Sequence, residues 1–211
     1  MNTARENKLL RCFRNGLVTI VAGFLGACAT GPSTPTTGTE AQGENGFTIQ
    51  EDIRVSGDVS RDFDAALQLL EQERYQEAID LLRGVTEAAP DATAAYINLG
   101  VAYGRIADLT QAESNIKRAL EINPGHPVAH NELGMIYRRT GRFEAARQSY
   151  ETALSLHPDF HYARLNLAIL CDIYIADLEC ALENYELYRE AVPDDEEASM
   201  WIADLRHRVG R

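Results

Sequence analysis

The sequence has few basic residues, which argues against a nucleic-acid-binding surface. Only 20 Lys and Arg stand against 32 Asp and Glu, and the formal charge is −12. Several of the basic residues fall within the first 16 positions, so the rest of the chain is more acidic still. A chain with this balance repels phosphate backbones. We therefore expect no direct binding to nucleic acid.

The sequence also lacks the motifs that usually mark an active site. It has no phosphate-binding glycine loop, no Gly-x-Ser-x-Gly, no His-Glu-x-x-His and no Cys-x-x-Cys. The pairs His126/His130 and His157/His161 each straddle a turn marked by a proline, so helical i, i+4 spacing does not apply to them cleanly. We interpret them as turn or surface histidines. The sequence predicts no enzyme, catalytic residue, metal, cofactor or small-molecule substrate.

No apolar run is long enough for a membrane-spanning helix, which needs about 20 residues. The apolar run at 17–25 follows a basic segment and fits the apolar region of a secretory signal. It ends in Leu25-Gly26-Ala27-Cys28, which resembles the lipobox of bacterial lipoproteins. That resemblance implies cleavage of 1–27 and acylation of Cys28. An ordinary signal peptide cut nearby and an uncleaved anchor are the alternatives.

The residues after Cys28 bear on where such a lipoprotein would reside. Lipoprotein sorting usually retains a chain with Asp after the Cys at the inner membrane, and here Ala29 and Thr30 follow. The resemblance thus implies a lipid anchor in the outer membrane, with the chain facing the periplasm. Several acyl chains would hold the protein stably at the membrane.

Residues 28–58 are expected to form a tether. Gly, Pro, Ser and Thr dominate 29–47, and such a stretch cannot bury enough apolar surface to offset its ordering entropy. Residues 47–55 (FTIQEDIRV) differ, because apolar and β-branched residues recur there. We expect this segment to be extended. It either docks on the folded domain or remains a free amphipathic tail.

The rest of the chain repeats every 34 residues. Three classes of position share this period, namely Pro90, Pro124 and Pro158; Ala66, Gly100, Gly134 and Ala168; and Ala78, Ala112 and Ala146. The residue types at these positions resemble the tetratricopeptide repeat. The match divides 59–194 into repeats 59–92, 93–126, 127–160 and 161–194, the last with one extra residue. Each repeat would be two antiparallel helices, A and B.

The resemblance implies an all-α fold, a right-handed superhelix of four helix–turn–helix repeats. Small residues would let the helix axes approach closely, and each proline would stop helix B. Gly141 would end helix A of the third repeat in the left-handed conformation. Residues 195–211 would form a capping helix, with an apolar stripe that includes Trp201. Partner docking through Trp201 is the alternative to capping.

In this family the concave groove lined by the A helices usually binds a peptide or a partner helix. The residues of this chain that match the family's groove positions, together with nearby polar side chains, are the candidates for the binding site. They are Phe63, Leu67, Ile97, Asn98, Val101, Arg105, Asn131, Met135, Arg138, Tyr162, Leu165, Asn166 and Ile169. The apolar members would form a solvated strip of the kind that marks binding sites. They could instead belong to the core between helices.

Polar residues refine the expected ligand. Asn98 and Asn166 could hydrogen-bond a bound backbone, and an acidic group could lie near Arg105, Arg138 and Arg139. The set that clamps a C-terminal carboxylate in some family members is absent, because Phe63, Leu67, Asn98, Val128 and Glu132 stand at those positions. We expect an extended or helical apolar ligand.

Cys171 and Cys180 flank the turn of the fourth repeat. The periplasm is oxidising, so a disulfide could join them. Two buried free thiols are the alternative.

These features predict a membrane-anchored periplasmic adaptor that binds a partner protein. The layout resembles pilotins that deliver pilus secretins, the lipoproteins of Flp-pilus assembly and, from Leu167 to Leu205, tetratricopeptide proteins that accompany TonB systems. The alternatives are a docking subunit of a cell-envelope enzyme and a structural protein whose groove is filled by its own segment 47–55.

Overall fold

A computed structural model describes residues 56–210, and every regular element in that range is helical. The predicted signal sequence, the acylated Cys28, the tether and segment 47–55 lie outside the described residues. The α-helices are α1 Gly57–Glu71, α2 Tyr75–Ala88, α3 Thr93–Arg105, α4 Leu109–Ile122, α5 Pro127–Arg139, α6 Phe143–Leu156, α7 His161–Ile169, α8 Leu178–Ala191 and α9 Glu196–Arg208. The predicted all-α fold is confirmed.

Short turns join each A helix to its B helix. The residues Glu73, Ala107, Gly141 and Ala176 occupy these turns with φ of 61°, 64°, 75° and 54°. Gly141 therefore adopts the left-handed conformation that its sequence context predicts. Acidic caps open some of the following helices, since Asp108 and Asp177 accept a backbone N–H from Gln111 and Cys180.

The A and B helices differ in how they are buried. In α4 the buried side chains are Ala112, Ile116 and Ala119, which form one stripe of an otherwise exposed helix. In α3 and α5, by contrast, most residues are buried around the whole circumference. The B helices thus form the outer layer, and the A helices lie inside it.

Glycine allows the closest approach between the two layers. A Cβ added at Gly134 would lie 2.5 Å from Cε1 of Tyr150, and one added at Gly100 would lie 2.7 Å from Cδ1 of Ile116. Such distances leave no room for a methyl group. The small residues of the 34-residue pattern therefore set the distance between A and B helices.

The fourth repeat absorbs its extra residue in a π-helix. The segment Leu170–Tyr174 continues α7 with wider turns, and the Ile175 N–H donates to the Leu170 carbonyl at 3.2 Å. A disulfide joins Cys171 to Cys180 with Cα atoms 5.9 Å apart, within the range that native disulfides occupy. It fastens the π-helix to the start of α8.

The helix α9 covers the end of the array. Trp201 is buried, and its ring lies 5.4 Å from that of Tyr185 on α8. Tyr188 donates a hydrogen bond of 2.8 Å to Asp195, which also caps α9. Trp201 therefore packs as part of a cap, and its burial removes it as a partner-docking side chain.

Candidate partner-binding site on the A helices

The candidate site is the set of predicted groove positions on the A helices. We call it the inner face and define it by Ile97, Val101 and Arg105 on α3, Asn131, Met135 and Arg138 on α5, and Tyr162, Leu165 and Ile169 on α7. The i, i+4 spacing within each helix places such residues on one side. The positions on α1 are Phe63 and Leu67.

The apolar residues of the inner face are buried. Ile97, Leu165 and Ile169 have 0 % exposure and Met135 has 1 %. The expectation of an apolar strip open to solvent is thus corrected. The sequence pattern identifies apolar positions, but it cannot say what covers them.

Other predicted groove residues are distributed unevenly. Phe63 is fully buried in the core, and Leu67 and Val101 are each 8 % exposed. Arg105 and Tyr162 are half-buried. The accessible part of the predicted site is therefore polar or amphipathic rather than aliphatic.

One pair of side-chain amides links two successive A helices at the inner face. The Nδ2 of Asn166 on α7 donates to Oδ1 of Asn131 on α5 at 2.9 Å. Asn98 donates to the backbone carbonyl of Ala94 at 2.9 Å. Within residues 56–210, Oδ1 of Asn166 accepts no hydrogen bond although it is buried. A buried acceptor of this kind is well placed to receive a backbone N–H.

Three arginines lie at the carboxyl ends of α3 and α5. Arg138 donates to the hydroxyl of Tyr174 at 3.0 Å, and Arg139 donates to the Gly104 carbonyl at 2.7 Å. The guanidinium of Arg105 lies 5.9 Å from the centroid of the Tyr75 ring. Burial lowers the pKa of Arg105, but a guanidinium stays charged in proteins. The cluster is a concentration of positive charge in an acidic chain.

Glu132 is a site residue that the sequence reading did not select. It is 4 % exposed, and burial raises the pKa of its carboxyl group to about 7, against the opposing influence of Arg105 and a 3.4 Å contact with Asn131. Its repeat position is the one that Asn98 and Asn166 occupy in the neighbouring repeats. This shared position is the signal that could have identified it.

Residues 91–159 match the model of the tetratricopeptide repeat family. This part of the chain is therefore similar to tetratricopeptide repeats. The matched range includes α3 to α6 and thus two of the A helices that form the inner face. A comparison with curated proteins finds no match.

Solved structures share the tetratricopeptide fold of this chain. A thermophilic TPR protein of Thermus thermophilus is 24% identical, covering 71% of this chain and 81% of that chain, with a TM-score of 0.63. The pilF protein of Pseudomonas aeruginosa is 20% identical over 71% of this chain and 68% of that chain, with a TM-score of 0.66. MamA of Desulfovibrio magneticus is 15% identical over 74% and 88%, with a TM-score of 0.64. Such identities show the fold alone.

The tetratricopeptide fold is typically a scaffold for protein–protein interaction rather than a catalytic one. Among residues 56–210, no helix combines the length and hydrophobicity needed to cross a bilayer. The shared fold supports the part of the adaptor prediction that concerns protein–protein interaction.

Two histidines, His126 and His130, lie at one turn of the helical array. His126 caps α5, where its Nδ1 accepts the Ala129 N–H at 3.3 Å, and it is fully buried rather than on the surface. Burial lowers the pKa of His126 to about 4. His130 contacts the Pro124 carbonyl at 2.9 Å. Both side chains organise the turn between the second and third repeats.

One cluster in the described range has the ligand types of a metal site. It consists of Cys171, Asp177 and Cys180. The two sulfurs are joined in the disulfide, so neither is available as a thiolate ligand. The cluster is part of the turn that starts α8.

Proposed function

We propose that this chain is a membrane-anchored periplasmic scaffold that binds a partner protein segment along its inner face. The observation that carries the proposal is the band of polar groups across successive A helices. Asn131 and Asn166 link α5 to α7, while Arg139 links α5 to α3. Groups spaced from helix to helix match a ligand that runs across the helices rather than along one of them.

The band offers hydrogen bonds that an extended segment would complete. In the described part of the chain, Oδ1 of Asn166 and Nε of Arg138 are buried without a hydrogen-bond partner. A buried polar group left unsatisfied costs about 1–3 kcal/mol. A bound peptide backbone supplies both N–H donors and carbonyl acceptors, so it would remove this cost at both atoms.

Electrostatics favours an acidic residue in the bound segment. Arg105, Arg138 and Arg139 concentrate positive charge at one end of α3 and α5. Glu113 and Arg142 pair with each other on the outer side at 2.5 Å, so they do not compete for the same ligand. The ligand that fits is an extended segment with a carboxylate near these arginines.

Acyl chains on Cys28 would hold the scaffold at the outer membrane. The likeness of residues 25–28 to a lipobox supports acylation of Cys28. A tether then keeps the inner face near the membrane and raises the local concentration of a partner without any chemistry. The likeness of the layout to pilus-assembly and TonB-associated proteins supports a role in assembling an envelope complex.

A docking subunit of a cell-envelope enzyme is the second candidate, and Glu132 is the observation that favours it. A carboxyl group with a pKa of about 7 could act as a general base. Its neighbours Asn131 and Arg105 do not exchange protons at neutral pH. Glu132 therefore fits better as a hydrogen-bonding member of the binding band.

The test is capture of partners from solubilised envelopes by Arg105→Glu and by the matched control Arg83→Glu. Both substitutions make the same charge change, but Arg83 is exposed on α2, away from the inner face. We expect Arg105→Glu to lose at least tenfold of the protein that wild type captures, and Arg83→Glu to retain it. Substitution of the buried Ile97 would be uninformative, because it would disturb the core.

A Cys28→Ser variant separates location from binding in the same experiment. We expect it to lose the palmitate labelling that wild type shows and still bind the captured partner after purification. Equal capture by Arg105→Glu and wild type would contradict the inner-face site. Equal palmitate labelling of Cys28→Ser and wild type would contradict the anchor.

A further inference from the structure

Cys171, Asp177 and Cys180 come together where the π-helix of the fourth repeat meets α8. The two sulfur atoms and a carboxylate oxygen of Asp177 lie within 4.8 Å of one another. Thiolate sulfur and carboxylate oxygen are both ligands that Zn²⁺ accepts. In the disulfide form the sulfurs are bonded to each other, so neither is a thiolate. The same three side chains therefore form a disulfide in one redox state and a set of metal ligands in the other.

We propose that Cys171, Asp177 and Cys180 bind one Zn²⁺ ion when the disulfide is reduced, so that this turn is a redox-dependent metal site. Thiol–disulfide exchange with an external dithiol breaks the Cys171–Cys180 bond, leaves two cysteine thiols and converts the dithiol into its own disulfide. Zn²⁺ then displaces one proton from each thiol and forms two Zn–S bonds. This inference goes beyond the proposed function and does not depend on the inner face.

Hydrogen bonds that do not involve the S–S bond hold the three residues together. The Asp177 N–H donates to the Cys171 carbonyl at 2.8 Å and closes the loop between them. Oδ1 of Asp177 accepts the Cys180 N–H at 3.2 Å as the cap of α8. These contacts can persist after reduction. Only the sulfurs then have to separate, to about 3.8 Å, as two Zn–S bonds of about 2.3 Å in tetrahedral geometry require.

The groups around the cluster suit a bound cation. Arg147 on α6 donates to Oδ2 of Asp177 at 2.8 Å, and outer contacts of this kind orient metal ligands. The same hydrogen bond lowers the pKa of Asp177, which keeps the carboxyl group ionised. The Nδ2 of Asn184 contacts the Cys180 sulfur at 3.8 Å. The negative charges of two thiolates and one carboxylate equal the positive charges of Zn²⁺ and Arg147.

The ligand types favour zinc among the thiophilic metals. Two thiolates alone suit Cu(I), whereas a carboxylate oxygen suits a harder divalent ion, and Zn²⁺ accepts both. Three protein ligands leave the fourth tetrahedral position to water. Asp177 and Cys180 are half-buried, so the ion can enter from solvent. Asp177 is therefore the residue that distinguishes a zinc site from a two-thiolate copper site.

The test measures Zn²⁺ binding to the full chain carrying Cys12→Ser and Cys28→Ser, in which Cys171 and Cys180 are the only cysteines. The chain competes for Zn²⁺ with a chromogenic chelator, once in the disulfide form and once after reduction and removal of the reductant. We expect the reduced form to bind one equivalent at least about a hundredfold more tightly than the disulfide form. Weak binding to surface carboxylates will be the same in both. Co²⁺ should give a thiolate charge-transfer band with the reduced form alone.

Asp177→Asn keeps a helix-capping side chain but removes the charged ligand, so it should weaken Zn²⁺ binding at least about tenfold. The matched control is Asp108→Asn, because Asp108 caps α4 through the Gln111 N–H but is not part of the cluster. It should bind Zn²⁺ as the parent chain does. Circular dichroism will show whether each variant is folded, and Arg147→Gln, with an expected loss of about tenfold, replaces Asp177→Asn if the latter is not.

Equal Zn²⁺ affinity of the reduced and disulfide forms would overturn the proposal, and this comparison requires no substitution in the cluster. Undiminished affinity in folded Asp177→Asn would overturn the three-ligand site. The same result with Arg147→Gln would contradict the orienting role of Arg147. Partner capture plays no part in these measurements, so this proposal and the proposed function can fail separately.

Discussion

His126 and Glu132 are two buried titratable side chains at the start and in the middle of α5. Burial disfavours the charged form of each, so it lowers the pKa of the imidazole to about 4 and raises the pKa of the carboxyl group to about 7. The two groups affect stability in opposite directions. Between pH 4.5 and 7 folded Glu132 holds a proton that the unfolded chain releases, so its contribution falls as pH rises.

Folded His126 has the opposite linkage, and it can be isolated with His126→Asn. The unfolded chain takes up a proton below pH 6.5 that folded His126 does not, so stability is lost as pH falls from 6.5 to 4. The full shift corresponds to about 3 kcal/mol at pH 4. Asn also caps helices but does not titrate. We expect His126→Asn to remove most of this loss in urea unfolding measured across that range.

His207→Asn is the control for that measurement, because His207 is exposed near the end of α9. It should leave the pH profile of wild type unchanged. Parallel profiles for His126→Asn and wild type would mean that His126 is not a buried neutral cap.

Two of the helical hairpins depend on the contact between a glycine of helix A and a large side chain of helix B. Gly134 faces the ring of Tyr150, which is fully buried and cannot move aside easily. The sequence period identified the small-residue position. The identity and direction of its partner side chain came only from the packed helices, because periodicity carries no information on contacts between elements.

We predict that Gly134→Ala lowers the free energy of unfolding by about 1–3 kcal/mol, as overpacked core substitutions do. The clash with Tyr150 should exceed the gain in helix propensity. Gly84→Ala is the matched control, since Gly84 lies within α2 with nothing within 4 Å of an added Cβ. It should stabilise the protein by up to about 1 kcal/mol. Equal effects of the two substitutions in urea unfolding would show that the contact with Tyr150 imposes no steric limit.

The whole described array behaves as a chain of nearest neighbours. Each hairpin packs on the next, and α9 closes the last one by packing on α8. In such an architecture a local defect weakens adjacent units most. The irregular fourth repeat, with its π-helix and disulfide, is the unit that the cap protects.

Trp201→Ala tests this view of the molecule. Loss of a buried aromatic side chain lowers the free energy of unfolding by about 3–5 kcal/mol. Because each hairpin contacts only its neighbours, the destabilisation should be confined to the C-terminal end of the array. We expect hydrogen exchange to rise strongly in α8 and α9 and little in α1 and α2. Uniform acceleration over all helices would instead indicate a single cooperative unit.

The sequence alone determined the fold class, the stride of 34 residues and the positions of the turns. It could do so because small residues, prolines and apolar spacing act locally and recur from repeat to repeat. It also revealed the extra residue of the fourth repeat, but not the π-helix that absorbs it.

Only the tertiary structure decided which A-helix residues are buried, which arginines and amides meet across helices, and that Glu132 belongs with them. Those properties depend on what lies opposite each side chain. An apolar position facing a partner and one facing another helix look the same in a linear pattern, because both are apolar for the same reason. The packed helices separate the two cases, since burial and hydrogen-bond geometry exist only between elements.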